Sequence, residues 1–180
     1  MKLTTARLAI AGFAGLSLLA TACSTNEPGE PTPRSTGTTA GSAAAPGDNA
    51  LAGVKPCDLL TDAEVSGLGL TPPGSPDDLA GKEICEWKVS GNGGLSVGAE
   101  AAVDDLGLDR AATSPIKVGE YDAVREQAPN GAAYLCTVAI EVTESASMVV
   151  ISNLTAGSTD TAAACARATD AAELIAPKLP

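Results

Sequence analysis

Four cysteines constrain this chain more than any other feature. Cys57, Cys85, Cys136 and Cys165 are spread over a stretch, 54–180, in which the only aromatic side chains are Trp87, Tyr121 and Tyr134. Aromatic residues each bury a large apolar area, so a core of Ala, Val, Leu and Ile without them is thin. A thin core is where covalent staples are most useful. The segment that carries the first pair organises the rest. It opens Pro56-Cys57-Asp58-Leu59-Leu60-Thr61-Asp62-Ala63-Glu64-Val65 and closes Ile84-Cys85-Glu86-Trp87-Lys88-Val89. A helix start therefore holds one cysteine, and a strand holds the other beside the single tryptophan.

Four cysteines allow three connectivities. The neighbour pairing, Cys57–Cys85 and Cys136–Cys165, ties a helix to a strand in each half. It closes loops of about thirty residues, for which loop entropy gives roughly 3–4 kcal/mol per bond. The competing reading, four thiolates around a metal, lacks the close Cys-x-x-Cys pairs of zinc sites, and redox catalysis wants the same spacing. Structural disulfides are expected, with Trp87 as core between helix and strand rather than as a ligand platform.

The fifth cysteine has a different setting. Met1 to Arg7 is short and basic, and Leu8 to Ala20 is an uncharged apolar run of 13 residues. That is too short to span a bilayer as a mature helix, but it suits the hydrophobic region of an export signal. The run ends Leu19-Ala20-Thr21-Ala22-Cys23-Ser24. This resembles a bacterial lipobox, in which signal peptidase II cuts before a cysteine that carries a diacylglyceryl group. Thr21 and Ala22 match the pattern; Ala20 stands where leucine is usual, with Leu19 one place further back. Lipidation at Cys23 accounts for an odd cysteine in an exported chain, and export supplies the oxidising setting that disulfides need. With no twin-arginine pair, the general secretory route is expected.

Ser24 to Gly53 contains Pro28, Pro31, Pro33 and Pro46 among Ser, Thr, Gly and Ala. Without apolar periodicity it buries too little to offset its ordering entropy, so a flexible tether is predicted. The expected organisation is a lipoprotein signal over 1–22, a tether over 23–53 and one extracytoplasmic domain over 54–180.

Within the domain, Thr61-Asp62-Ala63-Glu64 fits a capping box that opens a short helix. Thr71 to Gly81, with Pro72, Pro73 and Pro76, reads as loop. Cys85, Trp87 and Val89 alternate on one strand face; Gly91-Asn92-Gly93-Gly94 is hairpin chemistry, and Leu95, Val97 and Ala99 return. A short helix is predicted within 101–112 from Val103, Leu106 and Arg110. Tyr121 to Glu126 reads as a strand. The clearest strand carries Tyr134, Cys136, Val138, Ile140 and Val142 on one face, and Ser147 to Asn153 pairs back as a central strand. Thr159 or Asp160 caps a closing Ala-rich helix that ends at Pro177. The fold class is α+β: an antiparallel sheet of about five strands with N-terminal and C-terminal helices packed on it. The two halves are not a tandem repeat, since the order of helix and hairpin reverses.

The net charge of −11 disfavours nucleic acid as a partner and direct adsorption of the domain on anionic lipid. There is no histidine, which removes the usual base for a serine or cysteine nucleophile and the commonest transition-metal ligand. No Ser-x-x-Lys frame is present. Asp77 and Asp78, or Asp104, Asp105 and Asp109, are candidate carboxylate or calcium groups, but they lack the alternating pattern of a calcium loop and are explained as solvated charge. The glycines at 91, 93 and 94 lie between strands and make no phosphate cradle. Asn153-Leu154-Thr155 matches an N-glycosylation triplet, a short pattern with little weight. No catalytic residue, metal ligand or cofactor is assigned.

These residues together resemble the actinobacterial lipoproteins gathered as domain of unknown function 3558. The matching elements are Pro56, Cys57, Leu59, Leu60 and Thr61, then Cys85 and Trp87, then Cys136 and Cys165. The resemblance implies location and a disulfide-stapled α+β domain; it brings no assigned activity. The expected protein is a monomeric, non-enzymatic module held by Cys23 on the extracytoplasmic face of the plasma membrane, binding an envelope protein or a small ligand. Two other classes stand beside it: a carboxylate-based hydrolase of envelope polymers, and a carrier of a small apolar ligand.

Overall fold

Alternating apolar residues build a seven-stranded sheet in the computed structural model, which describes residues 50–89, 93–155 and 157–180. The expected signal, Cys23 and the tether as far as residue 49 lie outside those residues, as do Gly91 and Asn92 of the expected hairpin turn; residues 50–53, expected as the end of the tether, form turns, and Leu51 is buried in the core. The strands are β1 (Thr71–Leu79), β2 (Lys82–Lys88), β3 (Gly94–Glu100), β4 (Thr113–Val118), β5 (Tyr121–Gln127), β6 (Leu135–Thr143) and β7 (Ala146–Asn153). Their order is β1-β2-β3-β7-β6-β5-β4, with every neighbouring pair antiparallel.

Seven strands correct the expected five. The two additions, β1 and β4, are the two sheet edges, and both contain proline: Pro72, Pro73 and Pro76 in one, Pro115 in the other. An edge strand leaves one side of its backbone without ladder bonds, so a missing amide hydrogen costs little there. The same prolines discourage pairing with another sheet.

The helical elements also differ from expectation. A 3-10 turn, Pro56–Asp58, carries Cys57, and α1 (Asp62–Gly67) has only six residues. The capping box is present: the Thr61 hydroxyl accepts from the Glu64 amide, and the Glu64 carboxylate accepts from the Thr61 amide at 2.7 Å. The α1 helix packs chiefly against the edge strand β1, and the 3-10 turn faces β1, β2 and β3, so among the described residues no long N-terminal helix covers the sheet. That role belongs to α2 (Thr161–Ile175), which lies on β6 and β7. Asp160 caps it by accepting from the Ala163 amide at 2.9 Å. Ala164, Ala168, Ala171 and Ala172 are fully buried, and their small side chains let the helix settle close to the sheet.

Strand alternation then sorts the side chains into two faces. Cys85, Trp87, Leu95, Val97, Met148, Val150, Cys136, Val138 and Ile140 form the helix-side core. On the opposite face, registered pairs align Ile84, Gly98, Val149, Ala139 and Val124 in one apolar row across the sheet. A crossover of residues 101–112 covers this row on its way from β3 to the far edge at β4. The helix expected here is only a 3-10 turn, Val103–Asp105, because Gly107 at φ +67° breaks the spiral. Two buried groups fasten the crossover: Ser147 Oγ donates to the Ala101 carbonyl at 2.6 Å, and the Glu126 carboxylate accepts from the Asp109 amide at 2.9 Å. Among the described residues no helix is long and apolar enough to cross a membrane.

Candidate functional site

The cysteines adopt the neighbour pairing. Cys57 bonds Cys85, tying the 3-10 turn to β2, and Cys136 bonds Cys165, tying β6 to α2; the Cα–Cα distance is 5.0 Å in each. Cys85 and Cys136 have no solvent exposure. Trp87 is 2% exposed and lies against the backbone of β1 at Gly74, where an added Cβ would meet Cys85 Sγ and Trp87 Nε1 at 2.6 Å each. It is core. Among the described residues, no three His, Cys, Asp or Glu side chains converge as a metal set would.

The acids singled out in the sequence shape turns. The Asp77 carboxylate accepts from the Asp78 amide at 2.8 Å, and Asp78 accepts from the Gly81 amide at 2.9 Å, fixing the β1–β2 turn. Asp109 accepts from the Ala111 amide at 2.9 Å. Asp104 and Asp105 are exposed in the 3-10 turn of the crossover. Glu126, which sequence reading left as an ordinary strand residue, is 6% exposed and anchors that crossover. No alternation rule marks such a carboxylate; its partner arrives from a loop.

Two recesses follow from this layout. The first, about 380 Å³, lies between the crossover and the second sheet face. Leu106, Leu108, Val149 and Ile151 give it an apolar lining, and Lys82 and Glu100 form an ion pair at its edge. Asp105 shares this recess with Glu100. The helix–sheet interface, by contrast, is filled by alanines. The apolar recess therefore lies on the sheet face opposite α2.

The second recess, about 400 Å³, lies between α2 and β5. Ala162, Cys165, Ala166, Thr169 and Asp170 recur at helical spacing on its helix wall, and Arg125 and Gln127 project from β5. The small Ala162 and Ala166 leave the space open. Strand periodicity placed Arg125 on β5, but only the helix above it creates a cleft.

The chain belongs to the family described as protein of unknown function (DUF3558), which matches residues 18–178. No curated protein and no solved structure matches it.

Proposed function

We propose that the chain is a lipid-anchored binding module of the cell envelope, held by a diacylglyceryl group on Cys23 at the extracytoplasmic face of the plasma membrane. One observation carries this reading. All four cysteines of the folded domain pair with one another, which leaves Cys23 as the one of five for which the fold supplies no partner. Disulfides persist in oxidising compartments, and an apolar run ending in Thr21-Ala22-Cys23 offers both the export route and the anchor. The family match begins at Leu18, inside that run, and so spans Cys23. The test is fractionation: Cys23→Ala shifts the chain out of the membrane pellet, whereas an unchanged distribution contradicts the anchor.

The module reading rests on recesses in a stapled scaffold rather than on a reacting group. The most buried carboxylate, Glu126, is engaged with the crossover backbone, and Glu100 is paired with Lys82. A second reading, a carrier of a small apolar ligand, is favoured by the recess of Leu106, Leu108, Val149 and Ile151. A hydrophobic fluorophore bound by the native chain, and lost in Leu108→Glu, supports it; equal binding by both chains removes it.

A further inference from the structure

Three buried polar atoms between α2 and the β4–β5 edge have no partner among the described residues: Arg125 Nε, Thr169 Oγ1 and Ser114 Oγ. The sheet register sets Ser114 directly opposite Arg125 on β4, with Val138 opposite on β6. Thr169 faces the same cleft from α2. Each case departs from ordinary behaviour. A threonine inside a helix usually turns its hydroxyl back to the carbonyl four residues earlier, and Thr169 does not. Buried polar groups are nearly always hydrogen-bonded. The Arg125 guanidinium, whose Nε is buried, forms no ion pair among the described residues.

A guanidinium that shares a cleft with an unpaired hydroxyl suits a carboxylate or phosphate, because its planar fork matches two oxygens at once. The cleft wall also carries Asp170 and Gln127. One cation and one carboxylate leave the site without net charge, so a dianion meets repulsion from Asp170. A zwitterion does not: its carboxylate meets Arg125 and its ammonium meets Asp170. The volume of about 400 Å³ lies within the range of small-molecule sites.

We infer that the cleft formed by Arg125 and Thr169 with Asp170 and Gln127, with Ser114 opposite Arg125 on the neighbouring strand, binds a small zwitterion of amino-acid or short-peptide size through its carboxylate. This deepens the binding-module reading by giving one recess a ligand class. The experiment is a titration of the detergent-solubilised, isotope-labelled full chain with the dipeptide Ala-Ala, with its C-terminal amide and with inorganic phosphate. Ala-Ala shifts the amide resonances of Arg125, Thr169 and Asp170 to saturation. The amide and phosphate bind at least about tenfold more weakly, and Arg125→Gln weakens Ala-Ala by about tenfold or more. Thr169→Val, which keeps the helix packing, serves as a second variant with the same direction of effect. No shift at these amides, an equal response to the amidated dipeptide, or binding retained in both variants overturns the inference. None of those results alters membrane fractionation or fluorophore binding, so the site and the broader reading fail separately.

Discussion

Lys178 Nζ lies 2.7 Å from the Glu64 carboxylate and 2.6 Å from the Leu59 carbonyl oxygen, so one ammonium near the end of the chain clamps the capping box of α1. The Lys178 hydrogen bond, with the Thr61 amide second, holds the Glu64 carboxyl at about 2 rather than its ordinary 4.5. A carboxyl lowered in the folded state contributes stability above its unfolded value, and that contribution is lost as pH falls from 4.5 towards about 2. Lys178→Met should cost about 1 kcal/mol at neutral pH, a charged hydrogen bond discounted for partial solvation. It should also flatten the acid limb of a urea-midpoint series. An unchanged acid limb would show that the clamp does not form.

Gly74→Ala places a methyl group where Cys85 Sγ and Trp87 Nε1 stand 2.6 Å away. Overpacking of this kind costs about 1–3 kcal/mol. The denaturation midpoint should fall, and the emission of Trp87 should shift to the red as its cover loosens. A stable variant with unaltered emission would mean that β1 does not seal the tryptophan.

Glu126→Ala removes the acceptor that fastens the Asp109 amide, at a cost of about 1–3 kcal/mol for an unmade buried bond. The observable is local. Tryptic cleavage after the exposed Arg110 should accelerate under native conditions, while the disulfides stay closed. Cleavage at the wild-type rate would contradict the fastening of residues 101–112 by Glu126.

Ser152→Ala acts in the opposite direction. Ser152 is fully buried in the core, and its hydroxyl has no partner among the described residues. Replacing it with a methyl group removes a desolvated polar atom without leaving another unpaired, so stability should rise by about 1 kcal/mol. A lower melting temperature would indicate that the hydroxyl is satisfied.

Much of this fold was legible in the sequence, and the limits have physical causes. Alternation marked β2, β3, β5, β6 and β7, because each has at least one face in the core and a strand repeats every two residues. Cap chemistry marked Thr61 with Glu64 and Asp160. Proline hid β1 and β4, since sequence alone does not say which strand will stand at an edge where proline is tolerated. Val103, Leu106 and Arg110 imitated helical spacing; in the structure that segment covers the apolar row on the second face, and a crossover needs no internal period. The recesses were the least legible. Ser114 and Arg125 are neighbours in the β4–β5 hairpin, but Thr169 comes from α2 far along the chain, and only the seat of α2 brings it to them.

Intact mass of the chain extracted from membranes, before and after reduction and alkylation, tests the central claim most directly. The account predicts a chain that begins at Cys23 with a lipid-sized addition, whose four remaining thiols react only after reduction. A chain without added lipid, or thiols that react before reduction, would contradict the anchor or the staples respectively.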